Sequence, residues 1–348
     1  MDLTQRIETF SALGDLLRDA LEGKPTQYTL QITRLIETQH LKNPWFTSEN
    51  VRLAVSAIAG ELTTEKLKRW TEFYPDLKKE YPPLKVAVIM AGNIPLVGFH
   101  DFLSVLISGN KIIAKTSSKD PDNIAFISDI LCYINPGFSE KIEFAEGTLT
   151  GFDAVIATGS DNTSRYFEHY FGKYPNIIRR NRNSIAILDG NETGDELEAL
   201  GNDIFSYFGL GCRNVSKLYV PEGYDFAHAI SNWTRYACLA SHSKYANNYD
   251  FNKAVFLVNK VKFIDPGFVL LKEEDSKLSS PVSVLFYEYF RSEDQVKKIV
   301  EHLKDKIQCI TGRNHLSFGT SQSPALWDYA DGTDTLEFLL KKNLAGIL

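Results

Sequence analysis

Leu3, Ile7, Phe10, Leu13, Leu17 and Leu21 recur at spacings of three and four and end at Gly23, the pattern of an amphipathic helix with a glycine stop. More helix is expected over 28–40, from Thr47 or Ser48 with Val51, Ala54 and Ile58 turned inward, and from Thr63 and Thr64. Pro75, Pro82 and Pro83 close this helical preamble. From Leu84 the rhythm changes. The short apolar run over 85–90 suits a strand buried on both faces, and it breaks at Ala91-Gly92-Asn93-Ile94-Pro95. A helix follows over 96–108, a strand over 110–115, and a helix from Asp120 through Tyr133 with Asp120 as cap and Pro121 in the first turn. Strands at 142–145, 154–157 and 184–188, with a helix after Thr158-Gly159-Ser160, complete an alternation that predicts a parallel, doubly wound sheet.

After Asp189-Gly190-Asn191 a second unit is expected. It reads as a helix over 192–208, the cysteine Cys212, a strand over 215–220, a helix over 226–239, strands at 254–258 and 282–287, and a helix over 293–303. Two connections, 240–252 and 260–280, read as long and irregular, a kind of loop that often carries function. A turn at Asp331-Gly332 precedes an amphipathic tail helix from Thr333. The expected organisation is therefore a helical preamble plus cofactor-binding domain over 1–188, a catalytic domain over 189–327 and a tail over 328–348.

The chain has 348 residues, enough for two or three well-formed cores. Its 43% hydrophobic and 24% charged residues exclude disordered and fibrous classes, and a net charge of −6 with scattered basic residues argues against nucleic acid as a partner. The four cysteines, Cys132, Cys212, Cys238 and Cys309, form no C-x-x-C pair, and the seven histidines form no metal pattern, so no metal is expected. With no signal-like start and no apolar run near the ~20 residues of a membrane span, a reducing cytoplasm is the expected location.

The candidate chemistry gathers at Phe208-Gly209-Leu210-Gly211-Cys212-Arg213-Asn214. Cysteines usually pack as small hydrophobes. Two glycines just before this one let the backbone bend tightly, so that the residue can present both its sulfur and its own N–H to a substrate. Asn93, at a glycine–proline break after the first strand, is either a turn residue or an amide donor to a developing oxyanion, with the Cys212 N–H as second donor. The loop Thr158-Gly159-Ser160 follows a strand and opens a helix, which fits either a phosphate site or a simple cap. Lys115 ends a strand beside Thr116, Ser117 and Ser118, where it can hold a ribose or its phosphate or stand solvated. G-x-G-x-x-G is absent, since Asn214 replaces the third glycine of Gly209-Leu210-Gly211 and a strand follows.

Taken in order, Ala-Gly-Asn-Ile-Pro-Leu at 91–96, Ser-Gly-Asn-Lys-Ile-Ile-Ala-Lys at 108–115, Ala-Thr-Gly-Ser at 157–160 and Gly-Leu-Gly-Cys at 209–212 resemble the aldehyde dehydrogenase superfamily. The stretches from Cys212 to Ser216, Phe318 to Pro324 and Asp328 to Thr335 resemble its LuxC-type acyl-CoA reductase branch. The resemblance covers nearly the whole chain. It implies an aldehyde-dehydrogenase-like fold of two doubly wound α/β domains, with Cys212 as nucleophile and Asn93 as oxyanion donor. Lys115, Ser118, Thr158, Gly159 and Ser160 would line the cofactor site. A neutral Ser118, where NAD-using members commonly carry an acid, implies NADPH. The reaction implied is reduction of a long-chain acyl-CoA to the aldehyde through a cysteine thioester. A homo-oligomer and an acyl-activating ligase partner go with it. Alternatives are an acyl-phosphate reductase, a short-chain CoA-acylating aldehyde dehydrogenase, or a catalytically silent binding subunit. Two departures stand out. The superfamily's hydrolytic glutamate is missing from Ile178-Arg179-Arg180-Asn181-Arg182-Asn183, which suits a reductase, and Lys277 stands where a ribose-holding glutamate is expected. Arg213, Arg179, Arg180 and Arg182 are candidates to lower the Cys212 pKa.

Overall fold

A computed structural model describes residues 1–340, apart from the side chain of Asp161. The chain divides into two compact units, Met1–Asn181 with the return from Ala325, and Arg182–Pro324.

The first unit opens with α1 (Leu3–Leu21), α2 (Thr29–Thr38), α3 (Ser48–Glu61) and α4 (Thr64–Glu72). Asp2 and Gln5 form a reciprocal capping box at the start of α1, satisfying two end donors at once. The stripe of Ile7, Phe10, Leu13 and Leu17 is buried as its spacing requires. Gly14 sits where a Cβ would lie 2.2 Å from the Leu62 carbonyl oxygen, so only glycine lets α1 and the end of α3 approach.

The sheet comprises β1 (Lys85–Ile89), β2 (Lys111–Lys115), β3 (Ile142–Phe144), β4 (Ala154–Thr158) and β5 (Asn176–Arg179), with α5 (Phe99–Ile107), α6 (Asn123–Ile134) and α7 (Asp161–Phe171) between them. Its order is β3-β2-β1-β4-β5, and every pairing is parallel. The chain runs outward from β1 to β3 and then crosses to β4 on the far side of β1. That reversal leaves a crevice at the carboxyl ends of β1 and β4, where open parallel sheets take their ligands.

In the second unit β6 (Asn183–Ile187), α8 (Gly194–Phe205), β7 (Val215–Pro221), α9 (Phe226–Asn232), α10 (Ser243–Val258), β8 (Leu270–Glu273), β9 (Val284–Phe290), α11 (Glu293–Leu303) and β10 (Ile307–Thr311) follow in order. Its sheet, β10-β6-β7-β9-β8, is also parallel. One face packs Leu197, Leu200, Leu218 and Trp233; the other packs Tyr219, Phe290 and Val296. The tail then rejoins the first unit, where α12 (Thr335–Leu340) lies. Trp70 Nε1 donates to the Tyr329 hydroxyl at 2.7 Å, and the His100 ring lies 2.8 Å from the Leu326 carbonyl oxygen.

The doubly wound reading holds, with local corrections. The segment expected as a loop over 240–252 and a strand over 254–258 is the single helix α10. Its inward residues Tyr245, Tyr249, Asn252 and Phe256 keep helical spacing, while Phe251, Val255, Leu257 and Val258 are exposed. Apolar residues on both faces hid the period. The short strands β5, β8 and β10 fall in stretches read as irregular or left unassigned. Helix α6 begins at Asn123, so Asp120 is not its cap.

Candidate active site

Five of the candidate positions belong to the carboxyl edge of the first sheet. Thr158, Gly159 and Ser160 follow β4, and Lys115 and Ser118 lie at and just beyond the end of β2. Asn93, exposed, joins them from the loop after β1. The loops are drawn close: a Cβ on Gly92 would lie 2.5 Å from the Ser117 hydroxyl oxygen. Asp120 fixes this corner, accepting from the Leu96 N–H at 3.0 Å and from the Asn123 amide at 2.7 Å, and burial raises its pKa. Leu96 itself takes a left-handed φ of 58°. Sequence reasoning gave Asp120 a local cap. Its cross-loop role has no local signal, because it spans 24 residues.

Ser160 does cap α7, its hydroxyl accepting from the Thr163 N–H at 3.3 Å. A Cβ on Gly159 would meet the Phe167 ring at 2.9 Å, so that loop lies against its own helix. Beside it a groove of about 580 Å³ is walled by Lys115, Leu149, Phe152, Tyr166, Phe167 and Tyr170. Its exposed aromatic faces fit a nucleobase, which stacks on such rings. The Lys115 ammonium, donating to the Gly147 carbonyl at 2.8 Å, stands at the rim. The structure thus brings a helix amino end, a cationic side chain and an aromatic wall to one edge, and the sequence pattern does not reveal the wall.

Cys212 belongs to the second unit and lies just before β7, at the amino edge of that sheet, half-buried. Its loop is built from unusual backbone. Tyr207 (φ 52°), Phe208 (φ 59°) and Gly209 (φ 75°) are left-handed in succession. For the two non-glycines this costs about 1–2 kcal/mol each. Asn214, 2% exposed, offsets that strain. Its amide nitrogen donates to the carbonyls of Ser206 at 2.8 Å, Asp203 at 3.1 Å and Ile204 at 3.4 Å, and its oxygen accepts from the Gly211 N–H at 2.8 Å. The fully buried Asp203 accepts from the N–H groups of Gly319 and Ser321, and Arg213 donates to the Ser321 carbonyl at 3.4 Å. The stretch around Phe318–Pro324 thus braces the cysteine turn. A recess of about 20 Å³ beside the loop, lined by Phe205, Phe208, Tyr245 and Val284, has room for about one water.

Arg179 is engaged within the first unit, gripping Asp101 at 2.7 Å, the Ala330 carbonyl at 2.6 Å and the Thr335 hydroxyl at 2.9 Å. Arg180 pairs with Glu168, and Arg182 donates to the Ile307 carbonyl at 3.3 Å. Among the described residues no group of three His, Cys, Asp or Glu side chains converges as a metal site would require, and no helix is long and apolar enough to cross a membrane.

Two parallel sheets in this order carry the aldehyde dehydrogenase fold. Aldehyde dehydrogenase 21 from Physcomitrella patens, in complex with succinate, superposes with a TM-score of 0.65 at 13% identity, covering 98% of this chain and 84% of that one. KauB, an aldehyde dehydrogenase from Pseudomonas aeruginosa, gives a TM-score of 0.60 at 15% identity over 93% and 75% of the two chains. Within that fold the chain belongs to the acyl-CoA reductase (LuxC) family, whose model matches residues 26–254. It is similar to the long-chain acyl-protein thioester reductase 2 of Photobacterium leiognathi, 26% identical over 157 residues, 40% of this chain and 33% of that protein. The long-chain acyl-protein thioester reductase of Photorhabdus laumondii is 22% identical over 201 residues, 52% of this chain and 41% of that protein. The matched part of the chain therefore spans less than half the length of either relative.

Proposed function

We propose that this chain reduces a long-chain acyl thioester to the aldehyde with NADPH, through an acyl group carried on Cys212. The observation that supports it best is the Cys212 turn, a strained loop clamped by Asn214 in a member of an acyl reductase family. The Cys212 thiolate attacks the thioester carbonyl; the carbon–sulfur bond to the carrier breaks, and the carrier thiol leaves with a proton. Asn93 and the Cys212 N–H are the two donors for the oxyanion of that step. Lys115, Ser118, Thr158, Gly159 and Ser160 hold the dinucleotide. When bound, the reduced nicotinamide supplies the hydride that takes the Cys212 thioester to aldehyde. No carboxylate occupies 178–183, so these residues offer no base to activate water against the thioester.

The relatives' names point to an acyl-protein as donor, and CoA is the carrier in the family's name. Both carriers present the same thioester. The proposal extends to a cytoplasmic homo-oligomer supplied by an acyl-activating ligase. The deciding experiment compares palmitoyl-CoA, acetyl-CoA, palmitoyl phosphate and a palmitoylated protein thioester as substrates with NADPH. Aldehyde from the long-chain thioesters and little from the others is expected; aldehyde from the acyl phosphate alone would overturn the reading.

Two outcomes refine the sites. Asn93→Ala should lower kcat by about 10²–10³ with KM for palmitoyl-CoA nearly unchanged, the scale for losing one oxyanion donor; a kcat within threefold of wild type would remove Asn93 from that role. NADPH should be preferred to NADH by about tenfold or more in kcat/KM, because Lys115 attracts a 2′-phosphate that the neutral Ser118 does not repel, and tenfold is about 1.4 kcal/mol. Lys115→Ala should narrow the gap, and a tenfold preference for NADH in the wild type would reverse the assignment.

A further inference from the structure

We propose that Ser184 is a positioning residue that fixes the Cys212 backbone for attack, an inference that rests on Cys212 being the nucleophile. Ser184 is the second residue of β6 and lies in register with Val215 of β7, so the pairing of the two strands brings it beside the cysteine turn. It is fully buried. Its hydroxyl donates to the Cys212 carbonyl oxygen at 2.9 Å, accepts from the Cys309 N–H at 3.2 Å, and lies 3.0 Å from the Cys309 sulfur.

A serine hydroxyl has one proton and two lone pairs. The proton goes to the Cys212 carbonyl, which can only accept. One lone pair takes the Cys309 N–H, so the Cys309 thiol is the donor to the other. The hydroxyl is saturated and cannot rotate without breaking a bond.

Cys212 is held on both sides. Before the cysteine, the Asn214 N–H donates to the Gly211 carbonyl at 3.0 Å while the Asn214 side chain holds the Gly211 N–H. That fixes the peptide plane carrying the Cys212 N–H, the second oxyanion donor. After the cysteine, Ser184 fixes the plane carrying the Cys212 carbonyl. With both planes set, the φ and ψ of Cys212 are set, and with them the direction in which Cβ leaves the backbone and the staggered positions open to Sγ. Asn214 can secure only the first plane, and Ser184 supplies the other.

The test reads orientation apart from folding. Iodoacetamide alkylation of Cys212 is timed against exposed Cys238 in the same chain, together with kcat and KM for palmitoyl-CoA. Ser184→Ala should lower the Cys212-to-Cys238 rate ratio and kcat by about tenfold each, the equivalent of one neutral hydrogen bond, with KM within twofold. Ser184→Thr keeps the hydroxyl and should restore both to within about threefold, since the loss it avoids is that single bond. Ser184→Cys keeps the volume but donates weakly and should follow alanine. The threonine–cysteine contrast decides the matter even where the alanine variant fails to fold. An unchanged ratio and kcat in folded Ser184→Ala, or equal losses in the threonine and cysteine variants, would overturn the proposal. A wild-type Cys212 that reacts no faster than Cys238 would overturn the nucleophile assignment instead.

Discussion

Aldehyde formation from palmitoyl-CoA and NADPH should fall by roughly 10⁴-fold or more in Cys212→Ala, the scale on which an enzyme loses turnover with its covalent nucleophile. The other thiols are poorly placed to substitute. Cys132 lies on α6, where burial raises its pKa and so depletes its thiolate. Cys238 is exposed on a short helical turn, its thiol donating to the Arg235 carbonyl at 3.3 Å and its carbonyl accepting from the exposed Ser241 hydroxyl at 2.6 Å. Cys309 lies on β10, outside the bent loop that carries Cys212, with its sulfur 3.0 Å from the Ser184 hydroxyl. Among the described residues, Cys212 is the cysteine that combines a sharply bent loop with a carbonyl held by the buried Ser184 and a preceding peptide held by Asn214. Incubation with palmitoyl-CoA in the absence of reductant should therefore leave one palmitoyl group per chain, on the peptide containing Cys212. Palmitoylation elsewhere, or aldehyde formation preserved in the alanine variant, would end the assignment.

The strands β1, β2 and β4 were legible because a strand covered on both faces is a near-continuous apolar run, and nothing else of that length between turn residues looks alike. The edge strand β3 and the short β5 and β8 have less apolar content to give them away; β3 was found, the other two were not. Helix α10 escapes the pattern because its exposed face carries Phe251, Val255 and Val258, and apolar residues on both faces mask the helical period. Of the proposed site residues, those the sequence nominates have chemically distinctive side chains or positions: Cys212 behind its glycines, Lys115 at a strand end, Thr158-Gly159-Ser160 before a helix. The residues that hold them were not. Asp120, Asp203 and Ser184 act on backbone 24, 116 and 28 residues away respectively, and such contacts leave no trace in local spacing. Arg179 is the sharpest case. Within a run of basic residues it reads as a charge available to the thiol, yet Arg179 is 3% exposed, pairs with Asp101 and binds the returning tail at Ala330 and Thr335.

Asn214 was visible only as the residue that spoils a glycine motif, and its replacement should have the largest effect on stability. Asn214→Ala leaves the Gly211 N–H and the carbonyls of Asp203, Ile204 and Ser206 without their side-chain partner in a nearly closed site. At about 1–3 kcal/mol for each buried group left unsatisfied, partly relieved by relaxation and water, a loss of about 3–5 kcal/mol follows. The left-handed backbone at Tyr207 and Phe208 would lose the bonds that hold it and should relax, moving Cys212 with it. Amide hydrogen exchange in β7 would report the loss as faster opening, and Cys212 alkylation would report the relaxation. Asn214→Asp sharpens the test. It preserves the shape and the acceptor for the Gly211 N–H but turns a carboxylate oxygen toward three carbonyl oxygens, so it should be at least as destabilising as alanine at neutral pH. The repulsion comes from the charge and raises the folded-state pKa of the aspartate, so its cost should shrink as pH falls towards ~4, the unfolded value, and be gone below it. A loss below about 1 kcal/mol in Asn214→Ala would place the amide among ordinary surface-scale contacts and leave the strained turn supported by its aromatic packing alone.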